Sequence, residues 1–216
     1  MARFFWFIFY TSVIYTLSLP GDIMAKGKLD LILRDRLQFE FDVLGNRSTV
    51  YGRFDLSEYV NTLERKGLSI KEIQLMMRAP NNTNAPITGN FDLMGANVAT
   101  GGLFRSNLKI FATTRAYEDA KDVGIASPDV LCIEQWQTYL SPGPDEGVWI
   151  EHNKYGTGDL HPDGFPVVTD LLIGVAADNW LAEFSTTVEL DVMLIAEPIT
   201  INQKQLTEML VQGQDQ

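Results

Sequence analysis

The chain has one cysteine, Cys132, and two histidines, His152 and His161, among its 216 residues. A single cysteine forbids an internal disulfide, which excludes a disulfide-framed secreted module. Basic residues are scarce as well: 17 lysines and arginines stand against 28 acids, for a net charge of −11. A protein that holds nucleic acid chiefly through its own positive field is therefore not expected. The sequence has no G-x-S-x-G elbow and no Asp-x-Asp-x-Asp calcium spacing. Gly156-Thr157-Gly158 lacks the third glycine and the following helix of a phosphate loop. No internal repeat and no low-complexity stretch is present.

What remains is the composition of an ordinary globular chain, 45% hydrophobic and 21% charged. One domain of roughly 190 residues can bury about 70% of the surface its unfolded chain exposes, so it needs no covalent staple. The charge is unevenly spread. Residues 1–115 carry 14 basic and 10 acidic side chains (+4), and residues 116–216 carry 3 and 18 (−15). Acidic loops alone account for such a surface. The sharper expectation is contact between copies, with a mildly basic edge of one meeting an acidic edge of the next.

Residues 1–23 form a hydrophobic leader distinct from a single β-sandwich domain at 24–216. Phe4 to Gly21 is uncharged and heavily aromatic, from Phe4-Phe5-Trp6-Phe7 to Leu19-Pro20. As a helix it reaches about 27 Å, slightly short of a hydrocarbon core of about 30 Å. Three readings stay open: a translated upstream extension ahead of Met24-Ala25-Lys26, a signal peptide led by Arg3, and a membrane anchor over residues 4–21. Removing the segment deletes Arg3 and Asp22 and leaves the net charge at −11.

The remainder alternates with a period of two. Leu37, Phe39, Phe41 and Val43 share one face, and Gln38, Glu40 and Asp42 the other. Gly45-Asn46 then predicts a hairpin into Val50, Phe54 and Leu56. Further strands are expected at 68–77, 103–115, 130–140, 148–152, 167–177 and 184–197. Val188, Leu190, Val192, Leu194 and Ala196 mark the buried face of the last. Short helices are expected at about 57–66, ended by Gly67, and at about 202–211 after a Thr200 or Asn202 cap. The prediction is an all-β, antiparallel two-sheet sandwich of about eight strands, jelly-roll type, with long loops at 79–102, 116–129 and 153–166.

Chemistry finds little purchase. A facial triad could draw His152 and His161 with Glu151, Asp159 or Asp163. Glu151 and His152, however, are adjacent on a strand and face opposite ways. Cys132 lies in the apolar run Leu131-Cys132-Ile133, where a thiol is inert packing. Carboxylate pairs are too abundant after residue 116 to identify a glycosidase. Sequons at Asn46 and Asn81 fall in expected turns and matter only if a signal precedes them. Trp136, Tyr139, Trp149 and Trp180 could line a sugar-binding face, although such residues more often fill a core or an interface. The chain is expected not to be an enzyme, with no catalytic residue, no cofactor and no metal site.

Eight strand signals and elaborated loops over about 29–197 resemble the single jelly-roll capsid and coat proteins of small viruses, at the level of fold and without a diagnostic motif. A cupin shares the roll, but its usual metal site takes three histidines with a glutamate. The resemblance implies a virion subunit that packs laterally with copies of itself into a closed shell. Many such proteins carry an arginine-rich arm. Here Lys26, Lys28, Arg34 and Arg36 are the only early basics of the domain, offset by Asp30 and Asp35. A six-to-ten-phosphate footprint is not available from that segment. The expected contacts are therefore between proteins, around an internal membrane or beside another genome-binding protein. The alternative is a secreted or membrane-tethered binding module that uses tryptophans and acidic loops on carbohydrate.

Overall fold

The computed structural model describes residues 30–40, 48–78, 104–141, 147–156, 163–178 and 187–212. The leader, the asparagines of both sequons, the loop at 79–102, His161 and Trp180 lie outside them. Among the described residues there are nine strands: β1 (Leu31–Glu40), β2 (Ser48–Phe54), β3 (Lys66–Arg78), β4 (Phe104–Thr113), β5 (Val130–Ser141), β6 (Gly147–Tyr155), β7 (Phe165–Val167), β8 (Leu171–Asp178) and β9 (Thr187–Thr200). One helix, α1 (Gln203–Gln212), closes the described chain.

Every pairing is antiparallel. β1 lies on β9, β2 on β8, β3 on β7 and β4 on β5, so the chain doubles back as one long ribbon. Two further pairings, β3 with β9 and β4 with β8, roll that ribbon up. The result is a four-stranded sheet, β1-β9-β3-β7, facing a five-stranded sheet, β2-β8-β4-β5-β6. This is the jelly-roll order, with β6 added at one margin.

The inner faces supply the core. β9 contributes Val188, Leu190, Val192, Leu194 and Ala196, all the residues its alternation singled out. Leu171, Ile173 and Val175 of β8 and Leu108, Ile110 and Ala112 of β4 meet them from the other sheet. In β3 the buried positions change parity, from Leu68 and Ile70 to Ile73 and Met77. A bulge at Lys71 causes the change. Its ammonium reaches Asp30 at 2.7 Å and Glu197 at 2.9 Å.

A second, smaller apolar layer lies outside the five-stranded sheet. Segment 114–129 crosses that face and sets Ala120 and Val123 on Phe111, Ile133 and Ala176. Asp119 opens its single 3-10 turn, Ala120–Asp122, by accepting from the Lys121 amide. The Lys109 ammonium donates to the Ala120 carbonyl at 2.7 Å and the Val123 carbonyl at 2.5 Å. Burial pushes that ammonium below the ordinary lysine value, against the opposing pull of Asp119 and Asp122.

Three expectations change. The predicted hairpin does not form: β1 and β2 sit in opposite sheets, each paired with a strand from the far end of the chain. Period-two alternation identifies the buried face of a strand and is silent on its neighbour. The helix predicted at 57–66 is instead a pair of turns. Asn61 Oδ1 accepts from the Leu63 and Glu64 amides, Asn61 bridges Lys66, and Leu63 is 93% exposed. Tyr59 and Val60 pack on the core without a helical stripe continuing to Leu63, and asparagine's local hydrogen bonds win over the helix. The left-handed residue is Arg65 (φ 57), while Gly67 lies in β3. The described strands number nine because β7 is only three residues with a central proline, too short to show a pattern.

The C-terminal helix forms where its spacing placed it. Asn202 Oδ1 accepts from the Gln205 amide at 2.8 Å, and Gln205 Oε1 accepts from the Asn202 amide at 3.4 Å, a reciprocal cap. Leu206 packs on Val168 and Ile201.

Two measurements check this packing. Gly174 of β8 lies under the Phe111 ring, and a Cβ there would fall 2.2 Å from Phe111 Cζ. Gly174→Ala is expected to cost about 1–3 kcal/mol and to lower the melting temperature by several degrees. Gly124→Ala, where a Cβ meets nothing within 4 Å, is expected to leave it unchanged. Asn202→Ala is expected to cost about 1 kcal/mol by removing the cap, read from the denaturant midpoint.

Candidate functional site

The residues with chemistry in their side chains converge on the β5–β6 ribbon. Its register sets Glu134 opposite Lys154, Trp136 opposite His152, Gln137 opposite Glu151 and Tyr139 opposite Trp149. Because strand side chains alternate, the ribbon has two unlike faces. Cys132, Glu134, Trp136 and Thr138 continue the inner face of β4, since they pair with Ala112, Ile110, Leu108 and Ser106. His152 and Lys154 share that face. Tyr139, Trp149, Glu151, Asn153 and Tyr155 face outward.

On the inner face the environment changes from apolar to polar along β5. Cys132 belongs to the central core, and burial pushes its thiol up to about 12. That thiol is no nucleophile at neutral pH. Two residues on, Glu134 is only 2% exposed. Its carboxylate takes the Lys154 ammonium at 3.0 Å on Oε1 and His152 Nε2 at 3.2 Å on Oε2. The His152 ring stacks on Trp136, with centroids 4.3 Å apart and planes 10° from parallel.

A buried carboxylate costs several kcal/mol unless it is paired. Here both oxygens are taken, one by the Lys154 ammonium and the other by the His152 ring. Among the described residues no group of three or more His, Cys, Asp and Glu side chains could hold a metal ion. Of the candidate triad, His161 lies outside the described residues, and the described acids Glu151 and Asp163 make other contacts. Glu151 lies on the opposite face and accepts from Asn153 at 3.0 Å. The Asp163 carbonyl takes the Ser69 hydroxyl in the turn before β7, while Asp159 lies outside the described residues.

The aromatic set is likewise divided. Trp136 is half-buried on the inner face, while Trp149 is 72% exposed on the outer one beside Tyr139. The Tyr139 hydroxyl donates to Gln137. Gly156 ends β6 in a left-handed conformation (φ 63), with the Leu131 carbonyl 2.9 Å from where a Cβ would sit. Its glycine thus serves the turn and not a phosphate. The residue that sequence reasoning missed is Glu134, whose signal is a single acid at a core-parity position of an apolar strand. None of the described helices is long and apolar enough to cross a membrane.

Lys154→Met leaves Glu134 buried with one polar partner, and is expected to cost about 1–3 kcal/mol in a thermal or urea melt. Adding Glu134→Met is expected to restore most of that loss, because an apolar pair replaces an ion pair at little net cost. A double variant no more stable than Lys154→Met alone would show that the two groups are not coupled. For Cys132, a thiol reagent at pH 8 is expected to react only after unfolding. The raised thiol value favours the protonated form in the folded state. That stabilisation is complete below pH 9 and is lost as pH rises from about 9, where the unfolded thiol ionises, to about 12. Cys132→Ala is expected to flatten that part of the stability profile.

No protein-family model matches the chain, and no curated protein matches it.

Proposed function

We propose that the chain is a structural subunit that assembles with copies of itself into a viral shell. The strand order carries this reading. Four antiparallel pairs rolled into two facing sheets are the architecture of jelly-roll coat proteins, lectin domains and cupins. Of these three, a cupin needs a polar metal pocket between the sheets, whereas the space between them is filled by Leu, Ile, Val and Phe side chains. The step from fold to shell subunit rests on likeness of architecture. Its independent support is the distribution of charge. Three cations of the first half are tied to acids of the second: Arg36 to Asp191 at 2.6 Å, Lys71 to Glu197, and Arg53 to Asp170. Subunit contacts are then between proteins in the virion, and packaging of nucleic acid falls to another component.

A carbohydrate-binding module is favoured by one observation, the Trp149 side chain standing exposed beside Tyr139 on the outer face.

Light scattering and negative-stain microscopy of the purified chain separate the two. Shells, or discrete rings and pentamers, are expected across a range of salt and pH. A strict monomer at high concentration that is retained on a glycan array would overturn the shell reading in favour of the module.

A further inference from the structure

A sandwich of two sheets has four edge strands; β1, β2 and β6 each pair on one side only among the described residues, and three of the four carry a feature that discourages a further partner. β1 and β2 shut against each other, with Leu37 and Phe39 over Gly52, whose Cβ would lie 2.9 Å from Leu37 Cδ1. β1 also turns the charge of Asp35 toward the inner face between Leu33 and Leu37. β7 is three residues long with Pro166 at its centre, so it has little edge to offer. β6 is different. It runs nine residues, and among the described residues it pairs on one side only. Three large apolar side chains stand exposed along it: Trp149 at 72%, Ile150 at 53% and Tyr155 at 40%.

We propose that β6 is a self-association edge. Two copies pair β6 with β6 antiparallel about a two-fold axis normal to the sheet, joining two five-stranded sheets into one of ten. The inference rests on the self-assembly reading and names the surface that it uses. A second copy is the occupant because the strand is complementary to itself. It carries one acid, Glu151, and one base, Lys154, and is neutral in a chain of charge −11. Pairing two such edges therefore adds little to the repulsion between copies.

Register follows from the same residues. Symmetric pairing places residue i opposite a residue on the same face, so the axis passes through one residue. Centred on Glu151, it would set that carboxylate against its own copy, and like charges directly opposite destabilise a pair. Centred on His152, it sets Trp149 opposite Tyr155 on the outer face and Ile150 opposite Lys154 on the inner one. Glu151 then faces Asn153. The aromatic cross-strand pair favours this register.

The test uses the full chain, with sedimentation velocity and non-reducing gels as readouts and circular dichroism to confirm folding. Trp149→Asp and Ile150→Asp change exposed positions and are expected to abolish the two-fold contact. Leu63→Asp, equally exposed but remote, is expected to leave assembly unchanged. The double variant Glu151→Cys/Asn153→Cys is expected to form a covalent dimer under oxidised glutathione, and neither single variant is. If assemblies form but survive Trp149→Asp and the double variant does not cross-link, the β6 pairing is overturned and self-assembly stands. If the unaltered chain sediments as a monomer at every concentration, the self-assembly reading fails and this inference fails with it.

Discussion

Each strand of the four-stranded sheet is held by a neighbour from the other end of the chain, and the rest of the molecule depends on that constraint. The Arg36–Asp191 contact spans 155 residues. β9, the last strand, lies between β1 and β3 and pairs with both along nearly their whole lengths. No face of this sheet can be buried before the C-terminal part of the chain arrives, so the loop-closure entropy must be met before contacts reward it. Once closed, the two apolar faces seal each other. The gain is of order 1.5–3 kcal/mol for each large side chain fully buried. Such a fold gains stability from global closure and little from any local element. The turns at 57–66 illustrate this, being fixed by hydrogen bonds and by Tyr59 and Val60 packed on the core that closure creates.

The same interleaving decides what the charge means. In sequence the halves differ by sign, +4 against −15. In the sheets a first-half strand lies beside a second-half strand, so the imbalance is largely folded into pairs across strands. Arg36 and Arg78 bracket Asp191, Arg78 also approaches Glu189, and Lys71 joins Asp30 to Glu197. Exposed pairs of this kind are each worth little, about 0–1 kcal/mol. Their consequence is electrostatic rather than energetic, since they neutralise part of the first half's positive charge within the subunit.

How much of this was legible in the sequence depends on whether the signal was local. Alternation in β9 and the apolar run of β8 mark buried faces, because a half-buried strand must repeat every two residues. The capped helix after Asn202 is equally local. Strand partners are not local. Gly45-Asn46 reads as a hairpin turn, and nothing between Leu37 and Leu56 says that β1 pairs 155 residues away. The bulge at Lys71 is invisible for a similar reason, since it exists only in the register against β9. At the β5–β6 ribbon, His152, Trp136 and Trp149 stood out by residue type. Glu134 did not, because an acid among 28 carries no signal until its burial is known.

Glu134 also explains how the added strand β6 stays attached without a sheet opposite it. An outermost strand of a sandwich buries little, and the outward side of β6 is exposed. Its anchors are polar: Lys154 and His152 fold back onto one buried carboxylate, and the histidine ring lies flat on Trp136. Charge pairing and stacking hold β6 where hydrophobic burial cannot, and they do so from its inner face alone. The outer face and the free backbone edge are left uncommitted, with Trp149 projecting from them. A strand fixed from one side and open on the other is rigid enough to present a defined edge, which lowers the ordering entropy that a mobile segment would lose on association. The buried carboxylate thus has a physical role: it holds in place β6, an edge strand paired on one side only among the described residues.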